Sequence, residues 1–427
     1  MTHKLSATLS LACLASASLG AGFSLFNGSA AGNADANYAT AIGGEPAAQF
    51  YNPAAIGGLK GAQLQGGATF LSPVFRVEGR NPYTGQEYRT HAKSHTFVIP
   101  HAYYTQEISD KLTFGFALAS HFGTGTAFPE DWFGRYNSTS ADMLSVNASP
   151  ALAWRVGDRL TVAAGFTAQY FDLTLKQKID PARANNPANP AELDITQEIS
   201  ADGFGFGADL GLIVKPVDKL SIGLAYHSRI KQEADGKAEY KKHPMVEAAL
   251  AQQGRGALFT GAGVKGTVTL PDTIVSAIAC DITDKLTLGI GATCQTWSTY
   301  DELRIRFDRP VIGAYESSSE KKWSDVWRYV AGGTYKLDEM WTLRASFIYD
   351  DSPSHPDHLD YIVPSGDRKL FNIGIGCDLG DWTFDFSYFY EILADDSISA
   401  DLPHGVMESK YVDIAGHNFG FSATRRF

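Results

Sequence analysis

The stretch from Trp341 to Asp350 reads WTLRASFIYD, and the stretch from Trp382 to Glu391 reads WTFDFSYFYE. In both, large apolar side chains alternate with residues that are mostly polar, small or charged. Strict alternation predicts a β-strand with two chemically different faces. About ten residues is also the length that a tilted strand needs to cross a bilayer. Trp and Tyr at the ends of the apolar faces are typical of outer-membrane barrels, so these stretches favour a membrane barrel over a soluble sandwich.

Tight turns and long polar segments alternate along the rest of the chain, as they do in outer-membrane barrels. Turns such as Ser109-Asp110-Lys111 and Gly157-Asp158-Arg159 join neighbouring strands at one end. We therefore predict an all-β fold, a 14-stranded antiparallel transmembrane β-barrel, because an even strand number lets the barrel close with both ends on one side. The predicted strand pairs are 63–77 with 94–108, 111–122 with 142–156, 159–176 with 196–214, 219–233 with 264–280, 285–306 with 323–336, 341–350 with 367–379, and 381–393 with 411–426.

Composition excludes several other classes of protein. Of the 427 residues 44% are hydrophobic and 19% are charged, which is not the composition of a disordered chain. No segment after the N-terminus approaches the roughly 18 uncharged apolar residues of a membrane helix. The net charge of −11 argues against nucleic acid as a partner.

The N-terminus predicts the compartment. Residues 1–20 combine Lys4, an apolar stretch and small residues up to Gly20, the layout of a secretory signal peptide. The barrel then lies in the outer membrane of a Gram-negative type of cell, surrounded by lipid and lipopolysaccharide. Phe427 is a terminal aromatic residue of the kind that barrel-assembly machinery handles. The remaining cysteines, Cys280, Cys294 and Cys377, show no disulfide framework.

Residues 21–60 do not alternate and are rich in Ala, Gly and Asn. Asn52-Pro53-Ala54 followed by Gly57 predicts a short helical turn, with Asn as the N-cap and Pro at the first helical position. Small side chains let a backbone pack inside a narrow space, and a 14-stranded barrel has room for it. We predict three parts: a signal peptide at 1–20, a hatch that plugs the lumen at 21–60, and the barrel at 61–427.

These motifs resemble the FadL family of long-chain fatty acid outer-membrane transporters, which includes OmpP- and TodX-like hydrocarbon transporters. The resemblance rests on motifs spread over essentially the whole mature chain. They are Ala21-Gly22-Phe23, Asn52-Pro53-Ala54, Leu270-Pro271, Trp297-Ser298, Trp341 to Pro353, Ile362-Val363-Pro364 and Asp367-Arg368. The resemblance implies a monomeric barrel that captures a ligand on apolar outer loops, passes it to an internal pocket and releases it sideways into the membrane.

The resemblance also implies pocket residues. Phe23 is the matched apolar contact from the hatch, and Arg304 is the matched basic residue, seven positions after Trp297. Arg304 shares its parity with residues that look lipid-facing, so it points inward only if a bulge near Trp297 shifts the phase. The alternative is a rim arginine paired with Glu302. Lys176 is a candidate second basic residue, although direct alignment places Gln177 there.

Two further regions are candidates for ligand passage. A predicted loop helix near His243 could expose an apolar surface to lipid, or the same side chains could pack the loop onto itself. Its apolar residues are Met245, Val246, Ala249, Leu250, Leu258 and Phe259. His121, Phe122 and Gly123 end the third predicted strand, where glycine permits a kink that would form a lateral gate, or they simply begin the next loop.

Signals for an enzyme are weak. His355 and His358 lie in a turn-rich loop without further metal ligands, and Gly203-Phe204-Gly205-Phe206-Gly207 lacks the βαβ context of a dinucleotide site. We expect no metal, no cofactor and no catalysis. Three functions remain open: uptake of long-chain fatty acids, uptake of aromatic or other small hydrocarbons on the same scaffold, and a structural or adhesive barrel without transport.

Overall fold

The computed structural model describes residues 22–36, 38–182, 185–311 and 313–427. The predicted signal peptide, residues 1–20, lies outside the described residues. None of the helices in these ranges has the length and apolar character needed to span a membrane.

The strands form one closed antiparallel sheet, because the first strand, β1, pairs with the last, β22, from Gln63 opposite Arg426 to Phe70 opposite Phe419. Several barrel strands consist of two consecutive segments. Counted in this way, the described part of the chain has fourteen barrel strands, which confirms the predicted fold class. The segments are β1 (Ala62–Leu71), β2 (Pro73–Arg80), β3 (Glu87–His91), β4 (Phe97–Ser109), β5 (Leu112–Ala119), β6 (Gly123–Ala127), β7 (Ser140–Gly157), β8 (Leu160–Ile179), β9 (Ile195–Val217), β10 (Leu220–His227), β11 (Ile230–Lys241), β12 (Ala262–Leu270), β13 (Thr273–Asp281), β14 (Leu286–Gln295), β15 (Glu302–Val311), β16 (Ala314–Glu320), β17 (Val326–Lys336), β18 (Trp341–Asp350), β19 (Arg368–Asp378), β20 (Trp382–Leu393), β21 (Asp396–Ile398) and β22 (Ser409–Arg426).

The two faces of the strands divide as the alternation predicts. In β18, Leu343 is 42% exposed on the outer face, whereas Ser346 points inward and its hydroxyl donates to the Ala34 carbonyl at 2.7 Å. Phe204 and Phe206 of β9 are also exposed, while Gly205 between them is buried on the inner side. The phenylalanines therefore form part of a lipid-facing surface.

The hatch packs inside the barrel through short helices. They are α1 (Ala30–Asp35), α2 (Ala39–Ile42) and 3₁₀ helices at Pro46–Phe50 and Pro53–Ile56. Asn52 caps the last of these, because its side-chain oxygen accepts from Ala54 N at 2.9 Å, which confirms the predicted turn. Its amide nitrogen donates to the carbonyls of Thr40 at 2.8 Å and Leu212 at 3.2 Å. One buried side chain thus joins two parts of the hatch to the barrel wall.

Sequence alternation did not reveal where strands break. The predicted continuous strand 285–306 is wrong, since a 3₁₀ helix at Trp297–Thr299 separates β14 from β15. The neighbouring strands break at the same level, and Asp272 holds two of these breaks together. Its carboxylate accepts from Tyr226 Oη at 2.7 Å and from Arg229 N at 2.8 Å. At these breaks a side-chain carboxylate accepts hydrogen bonds in place of a neighbouring strand. The alternation of apolar and polar residues does not reveal where this happens.

Three short helices of the described chain lie in the loops at the opposite end from the tight turns. Helix α3 spans Pro244–Gln252, and 3₁₀ helices occupy Ala191–Leu193 and Leu402–His404. The predicted helix after His243 is therefore confirmed.

Gly211 of β9 offers a test of how tightly the hatch fits. A Cβ on Gly211 would clash with Asn52 Oδ1 and lie 2.6 Å from Ala54 N. We expect Gly211→Ala to weaken hatch docking by about 2 kcal/mol, as overpacking does, and to increase proteolysis of residues 22–60 while the barrel keeps its heat-modifiable migration. Gly157→Ala is the matched control, because its Cβ would meet no heavy atom of the described chain within 4 Å. Equal protease resistance of the two variants would contradict the prediction.

Candidate functional site

Phe23 lies in a cage of aromatic side chains inside the barrel. Its ring centroid is 4.6 Å from that of Trp297, 5.7 Å from Tyr300 and 5.6 Å from Trp323. Phe122 closes a fourth side at 6.2 Å, and Phe23 is only 3% exposed. We call Phe122, Trp297, Tyr300 and Trp323 the aromatic cage.

The residue before Phe23 must be small for this arrangement. Gly22 has φ +65°, and a Cβ there would clash with Trp323 and lie 2.9 Å from Trp297. Both the backbone conformation and the space therefore require glycine. The cage thus encloses the Phe23 ring on four sides.

The same N-terminal segment completes the barrel wall. β5 ends at Ala119 and β6 begins at Gly123; β4 pairs with β5 only as far as Ala102 opposite Leu118, and in the described chain β6 pairs with β7 alone. Across this break, Leu25 N donates to His121 O at 2.8 Å and Gly123 N donates to Phe23 O at 2.9 Å.

Phe122 itself is held by a side chain of the next strand. Its N–H donates to Ser145 Oγ at 3.1 Å, and Ser145 Oγ donates to its carbonyl at 2.7 Å. The third barrel strand therefore separates from β4 and turns to the hatch at the level of the cage. This is where the sequence predicted a kink, at His121, Phe122 and Gly123.

A small inner cavity, with about 60 Å³ open to the centre of a water molecule, adjoins this break. Its walls come from the hatch, from the broken third strand and from the strands opposite. The apolar side includes Phe26, Phe50, Phe122, Ile230 and Val275, and the polar side includes His121, Asn147, Asp209, His227, Gln295 and Arg328. An apolar cavity with a few convergent polar groups is the usual form of a small-molecule site.

A second, outer cavity opens among the long loops and is larger, with about 670 Å³ open to the centre of a water molecule. Leu303, Ile305 and Phe307 of β15 form an apolar part of its wall. Ile362 lines this cavity and also packs against the cluster that contains the cage. The outer cavity thus adjoins the region that holds Phe23.

The structure does not bring Arg304 to either cavity. Leu303 and Ile305, its neighbours in β15, line the outer cavity, so alternation points Arg304 to the opposite face. Its guanidinium pairs with Glu302 at 2.5 Å and Glu316 at 3.5 Å, and the side chain is 41% exposed. The 3₁₀ helix at Trp297–Thr299 therefore does not turn Arg304 toward the lumen, and the side chain stays on the outer face that the alternation indicated.

Lys176 lies on the wall of the outer cavity, but its Nζ pairs with Glu198 at 3.1 Å and both side chains are 41% exposed. Gln177, the directly aligned residue, donates to Gln197 at 2.7 Å. Gln197 in turn donates to Tyr240 at 2.8 Å. Near Lys176 the wall therefore carries a row of hydrogen-bonded amide and hydroxyl groups, and the lysine charge is paired with Glu198.

Most large apolar side chains of the loop helix region are buried, whereas capture of lipid would need them exposed. Val246, Leu250 and Phe259 are less than 10% exposed and pack with Ile195, whereas Met245 is 68% exposed. Ala249 is exposed and Leu258 is partly buried. For Val246, Leu250 and Phe259 the structure therefore shows the second alternative, packing within the loop region, which stabilises the loop on the barrel rim.

Other outer loops are joined by a buried ion pair. Arg135 Nε lies 2.6 Å from Asp194 Oδ2, and both side chains are at most 2% exposed. The guanidinium also donates to the carbonyls of Pro187 at 3.2 Å and Asn189 at 2.9 Å. Burial raises the pKa of the Asp194 carboxyl, and the Arg135 charge opposes that shift. This pair joins the loop that precedes β7 to the loop that precedes β9.

Sequence reasoning missed several residues that the site uses. Tyr300 and Trp323 complete the cage, and Asn147 and Arg328 line the inner cavity. Trp297 was singled out only as part of a family motif. The cage could have been recognised in the sequence only from aromatic residues that cluster around the ends of neighbouring strands. Within the described ranges, no group of three or more His, Cys, Asp or Glu side chains could hold a metal ion.

Comparison with known proteins places this geometry in context. A sequence model described as "Outer membrane protein transport protein (OMPP1/FadL/TodX)" matches residues 11–427. The "47 kDa outer membrane protein" of Pasteurella multocida is 28% identical over 389 residues, covering 87% of this chain and 88% of that protein. The "Long-chain fatty acid transport protein" of Escherichia coli O6:H1 is 23% identical over 341 residues, covering 76% of each.

Solved structures show the same fold. A Pseudomonas aeruginosa FadL homologue superposes with a TM-score of 0.85 at 22% identity, covering 95% of this chain and all of that one. The Pseudomonas putida toluene transporter TodX superposes with a TM-score of 0.68 at 16% identity, covering 90% of this chain and 94% of the other. At these identities the likeness concerns the fold alone.

Arg304→Ala decides between the two roles considered for that residue. As a partly exposed ion pair, Arg304 contributes about 1 kcal/mol or less to stability, and we expect the affinity for palmitate to stay within about twofold of the wild type. Isothermal titration with the detergent-extracted protein measures it. A tenfold loss of palmitate affinity would return Arg304 to the binding pocket.

Proposed function

The chain belongs to the outer membrane protein transport protein family (OMPP1/FadL/TodX), and on this basis we propose that it takes up long-chain fatty acids. It is an outer-membrane transporter of hydrophobic compounds, and its family is one of transport proteins rather than enzymes. The finer proposal is a route: capture at the outer loops, passage to an internal pocket, and lateral release into the membrane.

The N-terminal segment connects the aromatic cage to the broken third strand. The segment Phe23–Leu25 fills the aromatic cage with its first side chain and bridges the broken third strand with its backbone. A ligand that enters the cage must displace Phe23, and displacing Phe23 pulls on the hydrogen bonds to His121 and Gly123. Binding and opening of the wall are therefore coupled through three residues.

The cavities supply the rest of the route. The outer cavity offers Leu303, Ile305 and Phe307 as apolar contacts on the way in. The inner cavity lies beside the gap in the wall where, in the described chain, β6 does not pair with β4. A chain leaving there passes between strands into the bilayer, so it never crosses a water-filled pore.

Transport of aromatic or other small hydrocarbons is the second candidate. The observation that favours it is the cage itself, whose four members are all aromatic and which holds a phenyl ring. Edge-to-face packing of this kind suits a monoaromatic ligand. Competition between palmitate and toluene for the purified protein separates the two candidates.

Phe23→Ala tests whether the ring competes with the ligand. Displacing a buried phenylalanine costs about 2 kcal/mol, so removing the ring should tighten palmitate binding by about tenfold or more. Phe133→Ala is the matched control, because Phe133 is equally buried but lies in the aromatic cluster of the outer loops. Weaker palmitate binding by Phe23→Ala alone would instead make Phe23 a direct ligand contact.

A disulfide tests whether the N-terminal segment must leave the third strand. Ser24 lies opposite Phe122 between the two flanking hydrogen bonds, a position where antiparallel Cα atoms are about 4.5 Å apart. We expect the double variant Ser24→Cys, Phe122→Cys to lose palmitate uptake when oxidised and to regain it in dithiothreitol. Ser24→Cys alone is the control. Full uptake by the oxidised double variant would show that release does not need this movement.

A further inference from the structure

A chain of buried side-chain amides ends at His121, on the wall of the inner cavity. Gln232 Nε2 donates to Gln169 Oε1 at 2.6 Å, and Gln169 Nε2 donates to Asn147 Oδ1 at 2.8 Å. Because the Asn147 oxygen is used, its amide nitrogen faces His121 Nδ1, at 2.9 Å. An amide nitrogen only donates, so Nδ1 is the acceptor and the neutral imidazole carries its proton on Nε2.

That Nε2–H donor has no well-formed hydrogen bond among the described residues. The atom is buried, and the Phe50 carbonyl, which lies beside the ring, does not reach hydrogen-bond geometry. The Phe50 ring stacks on the imidazole at 4.0 Å and 5°, so the imidazole is held in place. A buried donor without a partner costs free energy, and an acceptor atom entering the cavity would recover it.

Arg328 supplies a second donor on the same cavity. It is 5% exposed, and its Nε has no acceptor in the described part of the chain. Its Nη2 donates to Asp350 at 3.1 Å, and Arg368 donates to the same carboxylate oxygen at 2.6 Å. Two guanidinium groups therefore share Asp350, and the Arg328 Nε remains unused.

The carboxylate already on the cavity wall is occupied. Asp209 pairs with His227 Nδ1 at 2.7 Å and accepts from Thr167 Oγ1 at 2.6 Å. Each of its oxygens thus has a partner from a neighbouring strand. The unfilled groups that we identify on the wall are donors, at His121 and Arg328.

We propose that His121 Nε2 and Arg328 Nε form a head-group site in the inner cavity, and that this site binds the carboxylate of a fatty acid. The acyl chain then lies against the apolar side, which includes Phe50, Phe122 and Val275. A plain hydrocarbon leaves both donors unfilled, so the site selects amphiphiles with an acceptor head group. This inference rests on the proposed uptake of fatty acids and names the residues that determine specificity.

His121 is the better residue to change, because removing Arg328 would take one of two positive partners from the buried Asp350 carboxylate and destabilise the fold. His121→Phe keeps the stacking on Phe50 but removes the donor, whereas His121→Gln keeps an N–H donor. The probes are palmitate and hexadecane, both delivered from cyclodextrin to the full-length purified protein. Isothermal titration gives the affinities, and heat-modifiable migration checks folding.

We expect His121→Phe to weaken palmitate binding about tenfold, the effect of losing one hydrogen bond to a charged group. Hexadecane binding should not change, and His121→Gln should keep most of the palmitate affinity. Wild-type affinity of His121→Phe for palmitate, or an equal loss of both probes, would overturn the head-group site. If the wild-type protein bound neither probe, the proposed function itself would fail, which is a distinct outcome.

Discussion

Backbone hydrogen bonding is the constraint on which the rest of this structure depends. Inside a bilayer each N–H and C=O needs a partner within the protein, and a closed barrel supplies two neighbours for every strand. The third barrel strand leaves one of its neighbours after Leu118, and the N-terminal segment and Ser145 accept and donate in its place. The hatch is therefore part of the hydrogen bonding of the wall as well as a plug.

The N-terminal segment has two structural roles: its side chain fills the cage, and its backbone completes the barrel wall. Successive residues of an extended segment point to opposite sides, so Ser24 points away from Phe23 and accepts from Gln295 at 3.0 Å. One side of the segment fills the cage, and the backbone between completes the wall. Displacement of the segment therefore both empties the cage and breaks the hydrogen bonds that complete the wall.

The sequence predicts the fold well because alternation records the two environments of each strand directly, as in Leu343 and Ser346. It predicts the Asn52 turn because capping is a local effect. It does not predict the interruption at Trp297–Thr299 or the cage, since these depend on partners far along the chain. Arg304 shows the value of parity: family spacing placed it in the pocket, whereas alternation pointed it outward, and the structure agrees with alternation.

The size of the ligand decides whether displacing Phe23 is favourable. Burial of a phenyl ring stabilises by about 2 to 3 kcal/mol, and each edge-to-face neighbour adds about 1 kcal/mol. A monoaromatic ligand replaces one ring by another, so it gains little from the exchange and also breaks the hydrogen bonds at the strand. A long acyl chain reaches beyond the cage into the inner cavity, and each methylene buried there contributes about 0.8 kcal/mol. With three edge-to-face neighbours the loss of the Phe23 contacts is about 5 to 6 kcal/mol. About seven methylenes beyond the cage therefore offset it, which favours a long chain as the ligand that opens the wall.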